Sequence, residues 1–92
     1  MRKIEKDMIK AIMNEQNWSN SNTMVAIVDG DAYVYLHGHH IATVKDCLPL
    51  ELEVNRDTLA KWPTVTTKSR LRALGANVTT KNWVTYLDGV AV

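Results

Sequence analysis

The densest cluster of reactive side chains in this sequence is His37-Gly38-His39-His40. Imidazoles so close together suit metal ligation, and histidine also titrates near neutral pH. If Gly38-His39 supplies a two-residue turn, His37 and His40 become a facing cross-strand pair with Cβ atoms about 5 Å apart. A structural zinc site needs two further ligands and a catalytic one at least one. Asp46 and Cys47 follow a few residues on, but no metal-ligand spacing ties them to the histidines. His37 and His40 are therefore the alternative metal ligands. The plainer expectation is a polar hairpin tip, with no cofactor.

Other routes to catalysis are weaker still. Cys47 would need a base beside it that is itself oriented, and nothing in the spacing brings a histidine there. A lone cysteine in a small domain is more often a buried hydrophobe. Glu51 and Glu53 share one face of a strand at i and i+2, which reads as solvated decoration. The four glycines stand singly, so there is no phosphate-binding loop. No catalytic residue is assigned, and an enzyme is not expected.

Recognition chemistry is better represented. Tyrosine, tryptophan and arginine anchor protein interfaces, which makes Tyr33, Tyr35, Trp62, Arg70 and Arg72 the candidates for contact with a partner protein. A second set, Lys61, Lys68, Arg70, Arg72 and Lys81 with Trp62 and Trp83, has the cation-plus-aromatic composition that contacts phosphates and unpaired bases. The plainer reading of that set is a solvated helix face above buried tryptophans.

The elements that must position these groups follow from periodicity. Ile4, Met8, Ala11 and Ile12 form one stripe, widened by Ile9 and Met13, and predict an amphipathic helix over 3–16. Asn17 to Asn22 reads as a loop because Asn and Ser compete for backbone hydrogen bonds, with Trp18 closing one edge of the core. Met24–Val28, Ala32–Leu36 and Ile41–Val44 are apolar and β-branched runs separated by Asp29-Gly30 and Gly38, an antiparallel meander. Leu50 to Val54 alternates as a strand with one wet face. Residues 56–62 suggest a helical turn capped by Asp57 and stopped before Pro63. Thr67 would cap a short helix over 68–74, ended by Gly75, with Leu71 and Leu74 inward and the basic residues outward. Val78–Thr80 and Trp83–Leu87 read as two more strands. The fold class expected is α+β: an N-terminal amphipathic helix, an antiparallel β-meander of about five or six strands, and one short helix near residues 67–74.

Composition sets the bounds. The chain has 92 residues, 46% of them apolar, and a formal net charge of +1. One domain spanning 1–92 is expected, burying roughly 60–65% of its unfolded surface. Near neutrality argues against a dedicated nucleic-acid binder, which carries a basic excess. Cys47 is the only cysteine, so no internal disulfide forms, in keeping with a reducing compartment. No apolar run of signal-peptide or membrane-spanning length follows the basic start Met1-Arg2-Lys3. The sequon at Asn77 would then never meet a glycosylation enzyme.

Across these segments the sequence resembles small accessory proteins of tailed bacteriophages. The resemblance rests on Trp18, Asn22-Thr23, Val25, Val34 to Gly38, Ile41-Ala42, Trp62, Thr64, Thr66 to Leu71, Ala73-Leu74, Asn82-Trp83 and Tyr86-Leu87. It covers most of the chain from Trp18 onward and brings no activity, cofactor or catalytic residue with it. It implies a phage-type protein working in a bacterial cytoplasm.

The function expected on these grounds is non-enzymatic: binding and modulation of a host protein, with any inhibition of host or defence machinery arising from occlusion. A weak nucleic-acid-binding module is the alternative and a small metal-binding domain the second alternative. No membrane partner is expected, and a homodimer is compatible with the sequence.

Overall fold

The computed structural model of the protein describes residues 1–48 and 51–92. The first helix, α1, runs Lys3–Met13 and buries Glu5, Met8, Ala11 and Ile12. The apolar stripe is as expected, but the helix stops three residues early. Asn14 closes it, Glu15 turns left-handed at φ 51°, and Met13 is exposed rather than part of the stripe.

Five antiparallel strands then form one sheet in sequence order: β1 (Trp18–Asn20), β2 (Thr23–Val28), β3 (Asp31–Leu36), β4 (His39–Val44) and β5 (Leu52–Val54). The meander expected between Met24 and Val44 is its centre. β1 was not expected, since its composition reads as loop. Its backbone pairs with β2 through Trp18 opposite Val25 and Asn20 opposite Thr23, and this partnering overrides the poor intrinsic preference of Ser and Asn. Beyond β1, the free Ile27 amide donates to Asn17 Oδ1 at 2.7 Å, which closes that part of the edge. For the strand expected over 50–54, Leu50 lies outside the described residues. Leu52 and Val54 pair with Val44 and Ala42.

Alternation assigns the two faces. Val25, Val34, Leu36, Ala42 and Val44 point into the core, whereas Met24, Tyr33, Tyr35, His40 and Thr43 point outward. A β-bulge lets Ile41 and Ala42 both face inward, because the register shifts between Val34 and Tyr35. The α-helices of the described residues pack on the inner face, where Met8, Ile12, Leu59 and Leu71 join the sheet residues in one hydrophobic cluster.

Between β5 and β6 there are two helices rather than one helical turn and one helix: α2 (Arg56–Lys61) and α3 (Val65–Ala73). Their caps lie upstream of those expected. Asn55, not Asp57, accepts the Thr58 amide, and Thr64, not Thr67, accepts the Thr67 amide. In each case the residue just before the helix offers a short polar side chain to an amide three residues on. Gly75 takes the left-handed position after α3 at φ 106°.

The chain ends in a second antiparallel sheet of β6 (Val78–Lys81), β7 (Val84–Leu87) and β8 (Val90–Ala91). Trp83 was expected inside a strand. It sits instead in the two-residue turn Asn82-Trp83, since Lys81 pairs with Val84. No helix among the described residues is long and apolar enough to cross a membrane.

Candidate binding surface

The β3–β4 connection is a two-residue turn made by His37 and Gly38, with φ of 51° and 79°. Positive φ at both positions is the type I′ geometry that fits the twist of paired strands, and glycine supplies it without strain. This places the turn one residue earlier than the pairing of His37 with His40 requires. Leu36 pairs with His39, and Tyr35 with His40. His37 is exposed at the tip, His40 lies on the outer face, and His39 lies toward the inner face. The alternative metal pair is therefore not a facing pair. Among the described residues no group of three His, Cys, Asp or Glu side chains is arranged to hold a metal ion.

His40 is instead a structural centre. Asn55 Oδ1 is occupied by the Thr58 amide, so its Nδ2 points at His40, donating to the backbone carbonyl at 3.0 Å and reaching Nδ1 at 3.3 Å. In the neutral ring the proton then resides on Nε2, which donates to Thr43 Oγ1 at 2.8 Å. Tyr33 and Tyr35 flank this fixed imidazole, each ring centroid 5.5 Å from it. Met24, opposite Tyr35 on β2, extends the outer face and is 40% exposed. Aromatic rings held this way present apolar area at low entropic cost.

On the other side of the same turn, His39 stacks on Trp62, with centroids 4.9 Å apart and ring planes 25° from parallel. Trp62 remains 47% exposed. The two rings border a cleft of about 210 Å³ floored by Leu36 and Ile41 and edged by the hydroxyl residues Thr58 and Thr67. A second, more open depression of about 350 Å³ on the outer face is lined in part by Met24, Tyr35 and His37. The histidine turn is thus a ridge between two concavities, one on each face of the sheet.

Cys47 has no part in this surface. It lies beyond the far end of β4, where its thiol donates to the Gly30 carbonyl at 3.4 Å. Burial pushes the thiol pKa up, as do the negative charges of Glu15, Asp31 and Asp46, so it stays protonated near neutrality. Glu51 and Glu53 are exposed.

The basic set is divided by the fold. Arg70 was expected on the surface, both as a protein contact and as a phosphate contact; this is corrected. Its side chain is 4% exposed, donating from Nη1 to Glu5 Oε2 at 2.8 Å and from Nε to Thr23 Oγ1 at 3.1 Å. A carboxylate at position 5 on the buried face of α1 demands a cation, and α3 supplies it. Arg72 is exposed but bonded through Nε to the Val78 carbonyl at 2.8 Å, and Lys68 Nζ donates to Thr80 Oγ1 at 2.7 Å. Lys61 at the end of α2 and Lys81 at the end of β6 are exposed.

Trp83 is almost wholly solvated, at 98% exposure, with φ of 68°. A bulky L-residue in the left-handed region is strained by about 1–2 kcal/mol. Trp83→Gly, which restores the Asn-Gly pair this turn prefers, should raise stability by about 1 kcal/mol and the melting temperature by roughly 4–8 °C. Thermal unfolding followed by circular dichroism checks this, and an unchanged or lower melting point would remove the strain argument.

Sequence reasoning selected Tyr33, Tyr35 and Trp62 but missed what holds them. His39 was placed in the turn, and Asn55 was passed over. The only signal for Asn55 was a short polar residue immediately before an Arg-Asp-Thr helix start.

No curated protein and no solved structure matches the chain. One protein-family model does, and it covers nearly every residue, in agreement with the phage resemblance carried by the fragments from Trp18 to Leu87. With residues 1–91 matched, the chain belongs to the phage protein family described as Kyanoviridae Gp96 protein.

Proposed function

We propose that this phage protein is a non-enzymatic binding protein that engages a host protein in the bacterial cytoplasm through the surface around the histidine turn. The observation that carries the reading is the aromatic face of β3 and β4. Tyr33 and Tyr35 are clamped against His40, on the face opposite the core cluster to which the α-helices of the described residues contribute. Fixed aromatics with an uncovered apolar neighbour such as Met24 have the composition of interface anchors. Trp62, stacked on His39, adds a second anchor across the ridge. A neutral, buried thiol far from the imidazoles supports binding rather than chemistry, and any inhibition would arise from occlusion. An interface of ordinary size, about 800 Å² per partner, would take about one-seventh of the 5618 Å² surface.

The test is capture from bacterial lysate with the partner then purified and its affinity measured. Tyr35→Ala combined with Trp62→Ala should weaken that affinity at least tenfold, or about 1.4 kcal/mol. A folded double variant that binds the same partner as tightly as the natural chain would overturn the proposal.

A further inference from the structure

The β6–β7 hairpin carries a second surface, unrelated to the histidine turn. Arg72 is bonded to the Val78 carbonyl and Lys68 to the Thr80 hydroxyl, so two of the three cations of α3 lie along β6. Val78 and Thr80 are two residues apart on an extended strand, about 7 Å, and Lys81 follows on the alternate face at the end of β6, beside the tip. Trp83 stands at that tip with its ring in solvent. None of Lys68, Arg72 and Lys81 is ion-paired among the described residues. The acid nearest in sequence, Asp88, follows Leu87, the partner of Val78, so it lies at the Arg72 end of the hairpin and away from Lys68, Lys81 and the tip. The result is a group of cations without a salt bridge among the described residues, leading to one exposed aromatic.

We propose that this hairpin contacts single-stranded nucleic acid, with Trp83 stacking on an unpaired base and Arg72, Lys68 and Lys81 following the phosphates. Charge complementarity favours this occupant. A tryptophan meant for a protein pocket is usually ringed by apolar residues, and lysine is depleted from protein interfaces. Trp83 follows Lys81 and Asn82, with Lys68 behind them, and its apolar chain neighbour is the single Val84, 40% exposed. Stacking on a base needs only a π-face, so binding is tolerant of sequence. Bases in a duplex are already stacked, so an isolated platform selects single strands. The strained turn also fits, because the ring is held clear of the fold at a conformational cost that packing does not repay.

The experiment is a fluorescence-anisotropy titration of a labelled 20-nucleotide oligothymidylate, with a duplex of the same length as competitor. Three phosphate contacts on a single strand give a slope of log affinity against log salt near −2. Affinity should therefore fall roughly 20-fold between 50 and 200 mM salt. Trp83→Gly should weaken binding at least about fivefold with little change in slope. Lys68→Ala/Lys81→Ala should flatten the slope by about 1.4. Circular dichroism confirms that each variant is folded. Absence of binding by the natural chain at 50 mM salt, equal binding by Trp83→Gly, or equal competition by the duplex would each overturn the proposal. Loss of protein-partner capture in Trp83→Gly, without any oligonucleotide binding, would assign the tip to a protein instead.

Discussion

Arg70→Ala is expected to destabilise the fold by about 3–5 kcal/mol, lowering the melting temperature by at least about 15 °C. A chain of this length is stable by only about 5–14 kcal/mol, so the loss is a large share of the whole. The cost comes from what stays behind. Glu5, with its side chain 3% exposed, would be a buried carboxylate without its guanidinium, retaining Ser69 Oγ at 2.6 Å and the Arg2 amide at 3.3 Å. Thr23 would lose the Arg70 Nε donor, although its own hydroxyl still reaches Asn22 Oδ1 at 2.9 Å. Replacing both partners by apolar residues, Glu5→Leu with Arg70→Met, should recover most of the loss, because no charge is then left buried. If the single and double variants unfold alike in a denaturant titration, the ion pair is not what the single substitution damages.

The same pair sets the acid limb of stability. Burial alone raises the Glu5 pKa, but hydrogen bonds from Ser69, Arg70 and the Arg2 amide, with the Arg70 charge, outweigh it and hold the carboxyl below its ordinary value of 4.5. A carboxyl whose pKa is lower folded than unfolded contributes stability that is fully present above about pH 4.5. That contribution is lost as pH falls below that value and through the folded pKa. Glu5→Gln should flatten this part of the stability–pH curve.

Asn55→Ala is expected to cost about 1–2 kcal/mol, combining a lost helix cap with part-buried acceptors on His40 left unpaired. One side chain serves three groups: the Thr58 amide, the His40 carbonyl and His40 Nδ1. Removing it loosens α2 against β4, and with it the base of Trp62, although the Asn55 amide still donates to the Ile41 carbonyl and Leu59 stays in the core. Partner binding should therefore fall together with stability. Asn55→Asp separates the two effects. It keeps the acceptor for Thr58 but loses the donor to His40, so α2 should stay capped while the imidazole loses its fixed orientation. Heteronuclear NMR of the His40 ring reads that directly, and an unchanged tautomer in Asn55→Asp would show that Thr43 alone sets it.

The central meander was legible because its signals are local. Three β-branched runs and two glycine turns need no knowledge of distant residues, and Asp29-Gly30 turns where its chemistry says. The features that escaped are those set by partners far along the chain. Nothing in the helix periodicity singled out Glu5, and only α3, 64 to 65 residues away, makes its burial possible. β1 is a strand because β2 lies beside it, not because Trp-Ser-Asn prefers extension. The histidine turn was displaced by one residue, and a shift of one inverts the faces of a strand, so His37 and His40 could not be the pair that spacing suggested. Tyr33 and Tyr35 were legible as anchors from residue type; the imidazole that fixes them depends on a bulge at Ile41 that no local pattern encodes.

The contact between Glu5 and Arg70 also bears on synthesis. At bacterial elongation rates, roughly 3–13 s separate the appearance of these two residues from the ribosome. Throughout that interval α1 has only the first strands for cover, and the carboxylate destined for its buried face stays solvated. The nascent N-terminus therefore cannot dock in its final form until α3 has been made, and a chain truncated before residue 70 should be a substrate for chaperones and proteases.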